Sequence, residues 1–397
     1  MSDQAVTAKA QTKLGSPLGL DLIPEGAVIA LAISGGGDSV ALLHAVSRWA
    51  KPHRAKPHVF TVDHSLRPES ADEAQFVSEI CKRLQLPHST LVWQVPKATQ
   101  NAARQARHTL LAKAAREIGA AFILLGHTLD DVSETLAMRR SRKTPKHKQA
   151  GPLPVSVSPV WPDGRGLTLL RPLLLTSRRS LRDWLSEQEL AWIDDPSNEN
   201  DDYERARIRK MLDNGKALEA SETLRALQVR TRAEAPLAEV LLACADCCDA
   251  YGVIRVPLPI DQDLFTDLLS IIIPAASGTA RIPKAYARLN AMSDMLGPEA
   301  TRYTIGGAWL QRAEHDILIG REPVQRSLKI EDNVFDGRFI RDETARFPDQ
   351  RPPFLVRHAL PDRQGWRSLI PDRLKLHASI IAANHSLLTK PHEVFPF

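Results

Sequence analysis

Four cysteines in 397 residues, Cys81 alone and Cys244, Cys247 and Cys248 close together, are too few and too clustered for disulfides to hold a chain of this length. That scarcity predicts a reducing compartment, the cytoplasm. Long apolar runs are missing as well: Ala27–Ile33 and Leu268–Ala276 stop far short of the roughly 20 residues that cross a bilayer. Met1 to Pro17 has no apolar core behind its lysines and no arginine-rich amphipathic pattern, so it reads as neither a secretory nor a transit signal. A flexible leader over residues 1–20 is expected instead. No internal repeat is found.

What remains is an average globular composition, 43% hydrophobic and 25% charged, with 52 Lys+Arg against 47 Asp+Glu giving +5. At about 150 residues per domain, the length admits two or three domains. The basic excess is compatible with an anionic partner such as nucleic acid but does not select one.

Short β-branched runs alternate with helical patterns over the first two hundred residues, which predicts a parallel sheet with crossover helices. Strands are expected at Val28–Ile33, Val59–Asp63, Thr90–Val95 and Ala121–Gly126. Helices are expected from Ser70 to Gln85, opened by a Ser70/Glu73 capping box, from Ala102 to Ile118, from Thr128 to the basic run before Pro145, and from Ser177 to Gln188. Proline, glycine and lysine over 143–166 predict a mobile loop. The main boundary is set near 216. Beyond it, helix is expected to Tyr251 and again over Asp261–Leu296, interrupted at Pro274 and Gly278. A hairpin follows at Gly306-Gly307, where both turn positions can take positive φ without a Cβ clash. The last sixty residues show no clear period.

The sharpest signal is Ser34-Gly35-Gly36-Gly37-Asp38-Ser39, between the first strand and a helix. Three glycines let successive N–H groups and the helix N-terminus converge on an anion, as a phosphate cradle requires. Gly-Lys-Ser/Thr does not follow, so this is no Walker A loop, and Asp38 and Ser39 break the GxGxxG spacing. A carboxylate in a phosphate loop calls for an intervening cation, which makes Asp38 the natural ligand of Mg²⁺ bridging ATP phosphates.

These residues resemble the SGGxDS loop of the N-type ATP pyrophosphatases. Within that superfamily, further motifs are similar to those of the tRNA(Ile)-lysidine synthetases: Val62-Asp63-His64-Ser65-Leu66-Arg67, Ala103-Arg104-Gln105-Ala106-Arg107-His108, and Gly126-His127-Thr128-Leu129-Asp130-Asp131-Val132-Ser133-Glu134-Thr135. Arg171-Pro172-Leu173-Leu174, Trp192-Ile193-Asp194-Asp195-Pro196-Ser197-Asn198 and Arg205-Ala206-Arg207-Ile208-Arg209 complete the set in family order. The resemblance implies an α/β PP-loop, Rossmann-like domain over 21–215. A tRNA-binding region over 216–397 would follow, helical to about 297 and then β-rich. It also implies a ligase that uses ATP and Mg²⁺ to adenylate the wobble cytidine of a CAU-anticodon isoleucine tRNA and attaches L-lysine, releasing AMP and pyrophosphate.

Residue roles follow the same split between spacing and resemblance. Ser34, Gly35, Gly36, Gly37, Asp38 and Ser39 form the ATP loop. Arg104 and Arg107, three apart on one helix face, suit a single anion such as the α-phosphate. Asp131 and Glu134 have helix-dipole complementation as an ordinary reading, whereas the resemblance implies that they bind the lysine substrate. Arg139, Arg140, Arg142, Lys143, Lys146 and Lys148, with Arg205, Arg207, Arg209 and Lys210, are candidates for tRNA phosphates; a solvated charge run is the alternative. Thr128, Val132, His108 and Lys143-Thr144-Pro145-Lys146 depart from the family pattern. Two other readings stay open: a tRNA 2-thiolating relative, with Cys244-x-x-Cys247-Cys248 as its sulfur site, and a tRNA-binding protein without turnover. The sequence leaves the oligomeric state open, a homodimer being one option.

Overall fold

A computed structural model of the chain describes residues 18–63, 69–94, 99–194, 204–212, 218–297, 302–322, 330–331, 333–346 and 364–389. They fall into two compact units. The first gathers the described residues within 1–158, 167–233 and 383–397, and the second those within 159–166 and 234–382.

The first unit is built on β1 (Val28–Ala32), α1 (Gly37–Ala50), β2 (Lys56–Asp63), α2 (Glu69–Leu84), β3 (His88–Val92), α3 (Gln100–Glu117), β4 (Phe122–Leu125), α4 (Leu129–Ser141), β5 (Val155–Val157), β6 (Thr168–Leu170), α5 (Arg178–Glu187) and α6 (Glu204–Met211). The expected α/β class and its four strands are present, each within two or three residues of the positions read from sequence. The sheet order is β3-β2-β1-β4-β6-β5, parallel except for β5, which runs antiparallel to β6. Ile29, Ala30 and Leu31 are fully buried, as a strand flanked on both edges requires. Strand order reverses between β1 and β4. Open α/β sheets bind ligands at the carboxyl ends of such a pair.

Helix α2 starts at Glu69, one residue before the expected cap, and the Ser70 side chain lies outside the described residues. The stretch expected as a mobile loop contains β5 and, at Lys146–Lys148, a 3-10 turn. Arg139 orders its start, donating from Nη1 to the carbonyls of Lys148 and Ala150, both at 2.9 Å.

The second unit holds the C-terminal half of α7 (Ala220–Asp246), then β7 (Ile254–Pro257), α8 (Gln262–Ser277), α9 (Ala285–Leu296), β8 (Arg302–Ile305), β9 (Ala308–Arg312), β10 (Asp316–Arg321), β11 (Ile330–Glu331), β12 (Val334–Phe335), β13 (Phe339–Arg346), β14 (Gln364–Ser368) and most of α10 (Ile370–Thr389). Two four-stranded sheets form, β7-β10-β9-β8 and β11-β12-β13-β14. The Gly306-Gly307 hairpin is present, with φ of 60° and 84°. Gly278 closes α8 in the left-handed conformation, but Pro274 lies inside that helix rather than breaking it. Helix α10 is the element missed in the last sixty residues.

Candidate active site

The site is assembled from the chain segments that leave the carboxyl ends of β1, β4 and β6. After β1, Ser39 closes the glycine loop: its Oγ donates to the Gly36 carbonyl at 2.8 Å and accepts the Ser34 N–H at 3.2 Å. Gly35 has φ +91°, a conformation that excludes a β-carbon at low cost. The Ile193 N–H donates to the Gly35 carbonyl at 3.0 Å, and Trp192 lies against Gly37, so the 192–193 segment walls the loop. Gly36, at the N-cap of α1, brings no side-chain cap, which leaves the first-turn N–H groups to an incoming anion.

After β4, Gly126 lets the strand end approach this loop closely. A β-carbon there would lie 3.1 Å from the Asp38 carbonyl oxygen and from Ser39 Cα. Thr128 caps α4: its N–H and hydroxyl both donate to Asp131 Oδ2, at 2.8 and 3.2 Å. Asp131 therefore has the ordinary cap role at N3 as well as a place in the acidic cluster. Glu134, one turn on, is 1% exposed. Val132 is fully buried beside Ala150, Leu153 and Leu174, so this departure from the family pattern is a core position.

After β6, Arg171 is buried and ties β5 to β6, donating from Nη1 to the Leu153 carbonyl at 2.8 Å and the Ser156 hydroxyl at 3.0 Å. Seven residues on, Arg178 reaches the acidic cluster, a residue the sequence reading did not single out. Its Nε donates to Asp38 Oδ2 at 3.1 Å, and its Nη1 stands 3.6 Å from Glu134 Oε1. Arg209, from α6, donates through Nε to the same Glu134 oxygen at 2.8 Å. Asp38, Asp130, Asp131, Glu134, Arg178 and Arg209 are thus brought together.

Burial pushes the Asp38 carboxyl above its ordinary range; Arg178 opposes that shift, and Asp131 and Asp130 add to it. Burial disfavours the charge on Arg178, but Asp38, Asp131, Asp130 and Glu134 outweigh it and raise the guanidinium pKa. Next to this acidic cluster lies a basic one. Burial first, then the charges of Arg107, Arg104 and Arg171, push His108 down to about 3. Arg104 and Arg107, on α3, both act on His108, and Arg104 acts on Arg171 as well. Asp131 links the two clusters, since it acts on both Arg171 and Arg178.

The basic run divides. Arg140, Arg142 and Lys143 are exposed, with Arg140 paired to Glu222 at 2.7 Å. Arg139 points into the 148–150 turn and Arg209 into the acidic cluster. Arg207 is exposed. The Arg205 side chain, His64 to Arg67 and Asp195 to Asn198 lie outside the described residues. Lys143 adopts φ +54°, the left-handed geometry that glycine takes at no cost and a lysine seldom does.

Two of the three clustered cysteines are set against reactivity, while Cys247 is exposed. Cys244 is fully buried in the core of the second unit, and burial pushes its thiol and that of Cys248 up to about 12. Among the described residues, no group of three or more His, Cys, Asp or Glu is placed to hold a metal ion. No helix among them is long and apolar enough to cross a membrane.

A doubly wound sheet with a glycine loop at its switch point defines a PP-loop ATP-binding protein, and the profile of the PP-loop domain family matches residues 6–215. The tRNA(Ile)-lysidine synthase of Brucella anthropi is 36% identical over 359 residues, covering 83% of this chain and 76% of that protein. That of Brucella ovis is 38% identical over 339 residues, 79% of this chain and 73% of that one. That of Hyphomonas neptunium is 41% identical over 184 residues, 46% of this chain, and the chain spans half of its length. The chain belongs to the tRNA(Ile)-lysidine synthase family. Among solved structures it is similar to a U34-tRNA thiolase from Methanococcus maripaludis, at 15% identity and a TM-score of 0.45 over 58% of this chain and 78% of that one, too slight a likeness to bear on the argument.

Proposed function

We propose that the chain is an ATP-dependent RNA-modifying ligase that forms lysidine at the wobble cytidine of a CAU-anticodon isoleucine tRNA. The observation that carries this reading is the meeting of Asp38, in the phosphate loop, with the buried carboxylate of Glu134 through one guanidinium. Loop amides next to a carboxylate receive a nucleotide and its cation, and a buried carboxylate on the adjoining helix receives an ammonium group.

In the first step the cytidine C2 oxygen attacks the α-phosphorus of ATP, a P–O bond forms, and the bond to the β-phosphate oxygen breaks. The amides around Gly35–Gly37 and the N-terminus of α1 hold the departing pyrophosphate. Arg104 and Arg107 steady the charge on the α-phosphate. In the second step the lysine ε-amine attacks C2, the C–O bond breaks, and AMP leaves. Asp131 and Glu134 orient the amine and take up its protons. Mg²⁺ fits Asp38: a single half-buried carboxylate suits an ion that draws most of its ligands from phosphates and water. When bound, it supplies charge neutralisation along the phosphate chain. Arg140, Arg142, Lys143 and Arg207, with the region 216–397, are proposed to bind the tRNA, the basic side chains through its phosphates.

Asp38→Ala is expected to abolish tRNA-dependent exchange of pyrophosphate into ATP while tRNA still binds. Undiminished exchange would contradict the role given to the loop; loss of tRNA binding as well would point to a misfolded variant.

A further inference from the structure

Arg178 is held from two sides. Its backbone N–H donates to Asp130 Oδ2 at 2.7 Å, and the Leu129 N–H donates to the Thr176 carbonyl at 3.0 Å, so the starts of α4 and α5 are fastened together. With its backbone fixed, the guanidinium directs Nε at Asp38 and Nη1 at Glu134. A guanidinium is a planar fork that can address two carboxylates at once. Here the two belong to the proposed nucleotide site and the proposed lysine site.

Both partners of Arg178 are groups to which those sites assign another cation. A divalent ion at Asp38 would stand beside the guanidinium with like charge, and the nucleotide would at the same time offer phosphate oxygens that a guanidinium binds well. An ammonium at Glu134 would compete for the same buried oxygen with Nη1 of Arg178, at 3.6 Å, as well as with Nε of Arg209, at 2.8 Å.

We propose that Arg178 is a tethered place-holder and positioning residue that couples the two sites. With both empty, it supplies positive charge to Asp38 and, beside Arg209, to Glu134. Mg–ATP at Asp38 draws the guanidinium toward the phosphates and away from Glu134, and the ammonium of lysine then binds more tightly. The inference rests on the reading of the two sites given above. Linkage requires the effect to be reciprocal, so lysine must raise nucleotide affinity by the same factor.

The test is calorimetric titration of L-lysine into the full chain, with and without Mg²⁺ and the α,β-methylene analogue of ATP, which cannot be cleaved between those phosphates. In the wild type, the analogue is expected to lower the lysine Kd about tenfold or more. Arg178→Lys keeps the charge but has one point of contact, so it can hold one carboxylate at a time; its coupling is expected to shrink to within about twofold. Arg178→Ala, checked for an intact melting transition, is expected to bind lysine without nucleotide more tightly than the wild type does. Equal coupling in wild type and Arg178→Lys, or lysine binding by the wild type with no coupling, overturns this inference and leaves the lysine site standing. Failure of the wild type to bind lysine in either state overturns the lysine-site reading and this inference with it.

Discussion

At the residue scale the site sets one sign of charge against the other within a few side chains. Three arginines crowd His108, which is 5% exposed and whose Nε2 has no hydrogen-bond partner among the described residues. With a pKa of about 3 in the folded chain against about 6.5 unfolded, His108 stays neutral in the native state while the unfolded state takes up a proton. Its contribution is therefore fully present above pH 6.5 and lost as pH falls toward 3. The slope is about 1.4 kcal/mol per pH unit at most. His108→Gln removes that titration, so between pH 7 and 5 the variant is expected to lose roughly 2 kcal/mol less than the wild type, read from urea midpoints at the two pH values. Equal losses would mean that His108 is protonated in the native state or compensated elsewhere.

At the element scale, strand ends and helix starts position the chemistry, and Gly126 is a tight joint against the phosphate loop. Gly126→Ala would press a methyl against the backbone of Asp38 and Ser39, so the start of α1 must shift by a few tenths of an ångström. About tenfold weaker ATP binding is expected, roughly 1.4 kcal/mol, from equilibrium titration. Unchanged affinity would show that the loop yields freely. The sheet was legible in the sequence because β1 to β4 carry β-branched runs set off by glycine and proline, and the phosphate loop because its glycines have few other uses. Arg178 was not. Ser177-Arg178-Arg179 reads as an ordinary helix start with surface charge, and its partners Asp130 and Asp38 lie 48 and 140 residues away. Helix α10 was missed because Pro371 and scattered His and Asn blur its period. Yet proline is well tolerated in a first helical turn, and Leu374, Ala378 and Ile381 make a buried face. The interruption expected at Pro274 failed for a related reason: Leu268, Leu269, Ile272 and Ile273, all fully buried, favour a continuous helix by more than one lost backbone bond disfavours it.

At the scale of the whole molecule, the first unit carries every proposed catalytic and ATP-binding residue, and the second has a core of its own around Phe265, Leu268 and Ile272. The family match to residues 6–215 covers the catalytic part, while the Brucella relatives extend the likeness over about four fifths of the chain. The central claim is that ATP cleavage and lysine transfer occur in one site on one tRNA. It is tested most directly by incubating the purified chain with ATP, Mg²⁺ and radiolabelled lysine, with and without CAU-anticodon isoleucine tRNA, and counting AMP released against label fixed in RNA. Both are expected only when that tRNA is present, in a ratio of about one, as a transfer that consumes one adenylate per lysine requires. AMP released with no lysine fixed in RNA would contradict it, because the site would then activate the tRNA for a different nucleophile.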